Sequence, residues 1–265
     1  MRCGLCTFCL TLLLTVVSGC GGSSGGTIGG GSQTYPTLTG NWMAASDSSL
    51  TNSIYELGGY MTNTGGSVTA TLHAVPFLSS CFPSTDEIPF TGTVTTTGSI
   101  SMTSTEVASQ VISVTGTTVN GSLLSGSYKI TGGCAGGDSG SLIGLVEPSY
   151  SGAYSGTFQT GAPSPVSVSV TMIQSGPDAD GTYSLSGTVN FSGTSCFTTG
   201  TITSSTAYGG FIQFTVNTDQ DGVLQFTGFS AATPQAITIE ALYQVTAGLC
   251  SGETGDGSLS TPPSS

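Results

Sequence analysis

Basic residues are almost missing from this chain: Lys and Arg together number 2, against 14 acids, for a formal charge of −12 at pH 7. So few cations cannot neutralise a phosphate backbone or hold anionic headgroups through a basic face. Nucleic-acid binding is therefore excluded, and any membrane contact must come from something other than charge. Histidine and tryptophan occur once each, as His73 and Trp42. One imidazole cannot build a histidine cluster for zinc. The acidic turns Asp178-Ala179-Asp180-Gly181 and Asp219-Gln220-Asp221-Gly222 lack the spaced oxygens and distal Glu of a calcium loop. Glycine-rich tracts are present, but none precedes a helical pattern or carries the Lys of a phosphate cradle. No metal and no cofactor is expected. Helical periodicity is absent after residue 20, and the apolar run Leu10 to Val17 is far shorter than the roughly 20 residues of a spanning helix.

What is present points to strands. Only 6% of residues are charged and 41 are Gly, yet 37% are hydrophobic, which argues for a folded chain rather than a disordered one. Thr, Val, Ile and Tyr form strands; Gly, Asn and Asp form the turns between them. In Val166-Ser-Val168-Ser-Val170-Thr-Met172 apolar residues alternate with small hydroxyls, so one face is buried and the other is wet.

The chain opens with Arg2, the apolar stretch to Val17, and then Ser18-Gly19-Cys20 before a Gly/Ser tract. A positive start, a short apolar core and small residues at the cut are the parts of a secretory signal. Val17-Ser18-Gly19-Cys20 resembles a bacterial lipobox, in which the cysteine is lipidated and becomes the first mature residue. The resemblance implies residues 1–19 as signal peptide, Cys20 as lipidation site and 20–37 as a flexible tether. It also implies an extracytoplasmic protein held at the cell membrane or outer membrane by its lipid. Gly21 and Gly22, with no Asp after Cys20, favour the outer membrane. The mature chain keeps Lys129 as its only basic residue.

A pattern that begins at Leu38 returns after Tyr150. Leu38-Thr39-Gly40-Asn41-Trp42 corresponds to Tyr150-Ser151-Gly152-Ala153-Tyr154, and Gly66 and Gly181 share with Cys81 and Cys196 a constant offset of 115. Residues 38–148 and 149–261 thus read as two copies of one β domain, with 262–265 a disordered tail. Four mature cysteines remain, and an exported protein would pair them as disulfides in one of three connectivities. Because each copy holds one early and one late cysteine, Cys81 with Cys134 and Cys196 with Cys250 is the economical pairing. Eight short strands per copy, with hairpin turns at Asn120-Gly121, Asp180-Gly181 and Asp221-Gly222, predict two tandem antiparallel up-and-down β-barrels. Two β-sandwiches are the alternative. In the meander, the third-to-fourth and seventh-to-eighth loops share an end, which brings the paired cysteines together.

Gly137-Asp138-Ser139-Gly140 resembles the nucleophile loop of chymotrypsin-like proteases, with His73 upstream as the base such an enzyme needs. The spacing is too short for that family, His73 lacks its flanking residues, and the second copy has Gly252-Glu253-Thr254-Gly255 instead. A polar turn and a surface histidine are expected, and no enzyme. The Gly40-Asn41-Trp42 opening is similar to lipocalin and avidin-type barrels, whose aromatic plugs the barrel base. With the apolar loop Val75-Pro76-Phe77-Leu78, it suggests a small apolar ligand near Trp42, His73, Phe77 and Leu78. A noncatalytic role binding such a ligand, or a protein or glycan partner of the envelope, is the leading functional expectation; a structural surface component is the other.

Overall fold

The computed structural model describes residues 33–48, 54–75, 81–83, 86–161, 164–232 and 236–262. Among them all regular structure is strand, and no helix is long and apolar enough to cross a membrane. The first eight strands are β1 (Gly40–Asp47), β2 (Ile54–Thr64), β3 (Ser67–Ala74), β4 (Glu87–Val94), β5 (Ser99–Ser104), β6 (Val111–Val119), β7 (Leu123–Thr131) and β8 (Ser139–Glu147). The second eight are β9 (Gly152–Thr160), β10 (Val166–Ser175), β11 (Ser184–Ser192), β12 (Thr199–Tyr208), β13 (Phe211–Thr218), β14 (Val223–Ala232), β15 (Ile237–Ala247) and β16 (Thr254–Ser260).

Each set pairs consecutively and antiparallel, and β1 with β8 and β9 with β16 close two barrels. Closure removes every sheet edge, and it excludes the sandwich alternative. The alternation does what its period dictates: Val166, Val168, Val170 and Met172 are each 1% exposed, while the intervening Ser167, Ser169 and Thr171 face water. Full burial of such a side chain contributes about 1.5–3 kcal/mol, so the inward rows hold each barrel together. Asn120 and Gly121 both take positive φ, as a two-residue hairpin requires.

Loops and packing set where several elements begin. β12 starts at Thr199, after Cys196, which is held in the loop by its disulfide. β8 and β16 start at Ser139 and Thr254, so both Gly-acid-hydroxyl-Gly motifs run into strands. The expected tether also ends early. Asn63 accepts from Leu38 N at 2.8 Å and donates to Pro36 O at 3.0 Å. The Tyr35 ring lies over Gly66, where a Cβ would come within 2.9 Å of it. Residues 34–37 are therefore part of the base of barrel 1, and the compact unit begins at Thr34.

Candidate functional site

At one end of each barrel the predicted disulfides are present. Cys81 is bonded to Cys134 and Cys196 to Cys250, with Cα–Cα distances of 5.7 and 5.8 Å. Beside each bridge, an inward tyrosine meets an acid ten residues later. Tyr128 Oη donates to Asp138 Oδ2 at 2.9 Å, and Tyr243 Oη donates to Glu253 Oε1 at 2.7 Å. The backbone repeats too: Gly137 N donates to Ile130 O at 3.0 Å and Gly252 N to Val245 O at 2.8 Å. Gly137 and Gly252 have φ of 93° and 95°, and Gly140 and Gly255 leave room for the tyrosine rings.

The motif that resembles a protease loop is thus a tyrosine latch built twice. Asp138 is fully buried and also accepts from Ser48 Oγ at 3.0 Å and from Ser139 N at 2.9 Å. Burial first, and then the Asp138 carboxylate, push the Tyr128 hydroxyl up to about 12. Cys196, Cys250 and Glu253 also lie close together. Their sulfurs are in the disulfide, so they offer no thiolates to a metal.

The other end of each barrel is closed by an aromatic that follows the entering chain. Trp42 Nε1 donates to Leu38 O at 2.7 Å, and Tyr154 Oη donates to Tyr150 O at 3.1 Å. Trp42 is core, as its plug-like position suggests. Among the described residues, the interior around it shows two cavities of about 20 Å³ each, one against Trp42, Met61 and Phe90, the other against Phe82, Ile112 and Tyr128. Each has room for about one water, far from the roughly 300 Å³ of a small-molecule pocket. Barrel 2 packs rings instead: Phe214 stacks on Phe226 with centroids 4.8 Å apart, and Phe158 and Tyr243 pack around them.

His73 is not a surface histidine. It points out of barrel 1, away from Trp42, and is only 5% exposed because barrel 2 covers it. Its Nε2 lies 2.8 Å from Asp180 O, and its ring is 5.1 Å from that of Tyr208. The expected constellation of Trp42 with His73 therefore does not form one chamber: the two side chains lie on opposite faces of the wall. Cys20, Phe77 and Leu78 lie outside the described residues.

The seam that buries His73 went unread in the sequence. The β12–β13 hairpin, Tyr208-Gly209-Gly210-Phe211, sits on the outer wall formed by β1 and β2. The Asn41 amide donates to Gly209 O at 3.0 Å and accepts from Gly209 N at 2.7 Å. A Cβ on Gly58 would lie 2.7 Å from Gly209 N, so backbones meet directly. Tyr208 and Phe211 form a small apolar cluster with Val75. Behind it, Ser230 Oγ donates to Glu147 Oε2 at 2.9 Å and lies 3.0 Å from Tyr150 Oη. Burial raises the Glu147 carboxyl; Ser230 offsets part of this, and the charge of Glu56, itself raised by burial, adds to it.

Among the described residues, two open grooves lie on the outside. One, of about 570 Å³, lies between Thr34-Tyr35-Pro36 and the turns at Thr97 and Asn120. The other, of about 480 Å³, runs along β11, β12 and β13 past Thr188, Asn190, Thr201 and Asn217. Hydroxyls and amides line both, with Asp219 the one carboxylate.

The fold and this surface define a tandem up-and-down β-barrel protein. No protein-family profile and no curated protein matches the chain. Among solved structures it is similar to a protein with unknown function from the DUF3598 family of Nostoc punctiforme, at 11% identity and a TM-score of 0.20. That match covers 86% of this chain and 96% of the other.

Proposed function

We propose that this protein is a lipid-anchored, extracytoplasmic module that binds a protein or glycan partner of the cell envelope on its outer surface, without catalysis. One observation carries the reading: among the described residues the interior of barrel 1 shows cavities of about 20 Å³, whereas the outer groove along β11, β12 and β13 reaches about 480 Å³. Neutral hydroxyls and amides suit a polar, uncharged partner surface or a sugar, and they disfavour an apolar molecule. The noncatalytic part rests on the engagement of the tempting residues. His73 is sealed in the seam, and Asp138 is spent on Tyr128. Two disulfides support an oxidising compartment. The anchor rests on Val17-Ser18-Gly19-Cys20, and the absence of Asp after Cys20 supports an outer-membrane address.

The mature protein should be tested against envelope polysaccharide fragments and against a panel of apolar ligands, with Trp42 emission and melting temperature as readouts. A rise in melting temperature with glycan and no change in Trp42 emission with apolar ligands is expected. Trp42 quenching by a fatty acid would overturn the outer-surface reading. The anchor is tested by fatty-acid labelling in cells, where Cys20→Ala should abolish the label.

A further inference from the structure

The acids of barrel 1 are not spread evenly. Asp47, Glu56, Asp86, Glu87, Glu106 and Asp138 all lie towards the disulfide end, in its loops or at the strand ends that meet them. Glu147, the seventh acid of this half, is buried in the seam. The opposite end is built from Thr34 to Thr37, Gly65-Gly66, Thr95 to Gly98 and Asn120 to Ser122, with no charged residue among them.

Next to this uncharged end is an apolar strip. Val119 is opposite Leu123, and Leu123 is opposite Leu145, so the three form one row across the outer faces of β6, β7 and β8. Ile143 follows two residues up β8. With both barrels in place Val119, Ile143 and Leu145 remain 55%, 53% and 40% exposed. Ile173, Phe229 and Leu242 of barrel 2 are exposed as well, but none is paired with another exposed apolar side chain, whereas Val119, Ile143 and Leu145 lie together on one wall. The chain enters the fold at the same end: Thr34, Tyr35 and Pro36 share a groove with Val119 and Asn120.

We infer that this end of barrel 1, with Val119, Leu123, Ile143 and Leu145, lies against the bilayer surface, pointing the disulfide end and its acids away. The inference rests on the anchor at Cys20. Thirteen residues, Gly21 to Gln33, join that anchor to the fold; even fully extended they span at most about 45 Å. The body cannot leave the surface, and of its faces the one nearest the attachment lacks charge and shows apolar side chains. A bilayer with anionic lipids repels the acidic end, and the strip gains by entering the headgroup boundary. Both terms turn the molecule the same way.

The test is a tryptophan reporter on protein held to vesicles. The mature chain, with disulfides intact, is coupled through the Cys20 thiol to a maleimide phospholipid in phosphatidylcholine vesicles containing dibrominated acyl chains. Attachment is then enforced whether or not cells lipidate Cys20, and fatty-acid labelling in cells tests the anchor separately. Val119→Trp and, as a second site, Ile143→Trp should each show emission that shifts blue when the variant is attached to vesicles, and at least twofold stronger bromolipid quenching than the parent. Glu106→Trp, at the far end, should show no shift on attachment and only the quenching of the parent. Equal behaviour of Val119→Trp and Glu106→Trp would overturn the orientation. So would a blue shift at Val119→Trp without bromolipid quenching, which would mean that another copy of the chain covers the strip.

Discussion

Tyr128 donates its hydroxyl hydrogen to Asp138 at 2.9 Å inside barrel 1, and Tyr243 and Glu253 repeat the bond at 2.7 Å in barrel 2. Burial makes the two bonds unequal. Asp138 is fully buried and Glu253 only partly, so loss of the tyrosine takes a donor from a carboxylate that water does not reach in the first case and from one that water can reach in the second. Tyr128→Phe should therefore cost about 1.5–3 kcal/mol in a urea titration, and Tyr243→Phe about 1 kcal/mol. Because the Tyr128 hydroxyl is raised from 10.0 to about 12, its contribution is complete below pH 10 and lost as pH rises towards 12. Alkaline unfolding should accordingly be shallower in Tyr128→Phe. Equal losses in the two variants would contradict this account.

The seam should respond to pH in the opposite sense from an ordinary ion pair. Glu147 is raised above 4.5 by burial, with Ser230 opposing and Glu56 reinforcing the shift, and Glu56 is raised by burial as well. A raised folded-state value means stability that is complete below the ordinary carboxylate range and fades as pH climbs through the shifted values. The melting temperature should rise as pH falls from 7 towards 5. Glu147→Gln removes the buried charge while keeping an acceptor for Ser230, so it should raise the melting temperature at pH 7 and flatten this dependence. A variant with the parent slope would exclude Glu147 as the source.

Gly209 is the residue on which the contact between barrels turns. Its φ is +52°, both its backbone polar groups are bound by Asn41, and a Cβ there would lie 2.7 Å from Gly58 Cα and 3.1 Å from Trp42 O. Backbone conformation alone makes a side chain here cost about 1–3 kcal/mol, and the collision adds to that. Gly209→Val should open the seam while leaving each barrel folded. Small-angle scattering should report a larger radius of gyration, and calorimetry should resolve two transitions where the parent has one. A single unchanged transition would show that the seam is not held at this point.

The barrel was legible because its signals are local and periodic. Val166 to Met172 declares its buried face by alternation alone, and an eight-strand meander puts the third-to-fourth and seventh-to-eighth loops, with their cysteines, at a shared end. The copies also carried their latches in plain view, since Tyr128 and Tyr243 keep the same offset of 115 as Asp138 and Glu253. What hid them was the stronger resemblance of Gly137-Asp138-Ser139-Gly140 to something else. The seam was illegible for a different reason. His73 reads as outward by its period, correctly, but outward on β3 means under Asp180 and Tyr208 of the other copy. That contact spans more than a hundred residues and leaves no periodic trace. Trp42 sits beside a cavity of about 20 Å³, and such a volume is not fixed by side-chain identities alone.

The disulfide of barrel 1 has a noncovalent duplicate, and the two should be strongly coupled. Gln110 is 1% exposed; its Nε2 donates to Cys81 O at 2.8 Å and its Oε1 accepts from Ala135 N at 2.8 Å. One amide thus ties the same two loops that the Cys81–Cys134 bond ties, one residue away on the Cys134 side. Closing a loop of 53 residues is worth about 4 kcal/mol on the chain-entropy model. With Gln110 in place, however, the folded loops stay docked when the bond is absent. With the bond in place, loss of Gln110 removes the donor to Cys81 O and the acceptor of Ala135 N but leaves the loops together. Gln110→Ala should therefore cost about 1–3 kcal/mol, and Cys81→Ala with Cys134→Ala about 4 kcal/mol or less. Removing all three should exceed the sum by more than about 0.5 kcal/mol, because only then are the loops free to separate. Urea titrations of the four proteins in this cycle give the coupling directly. Simple additivity would mean that the amide and the disulfide hold different parts of the barrel end.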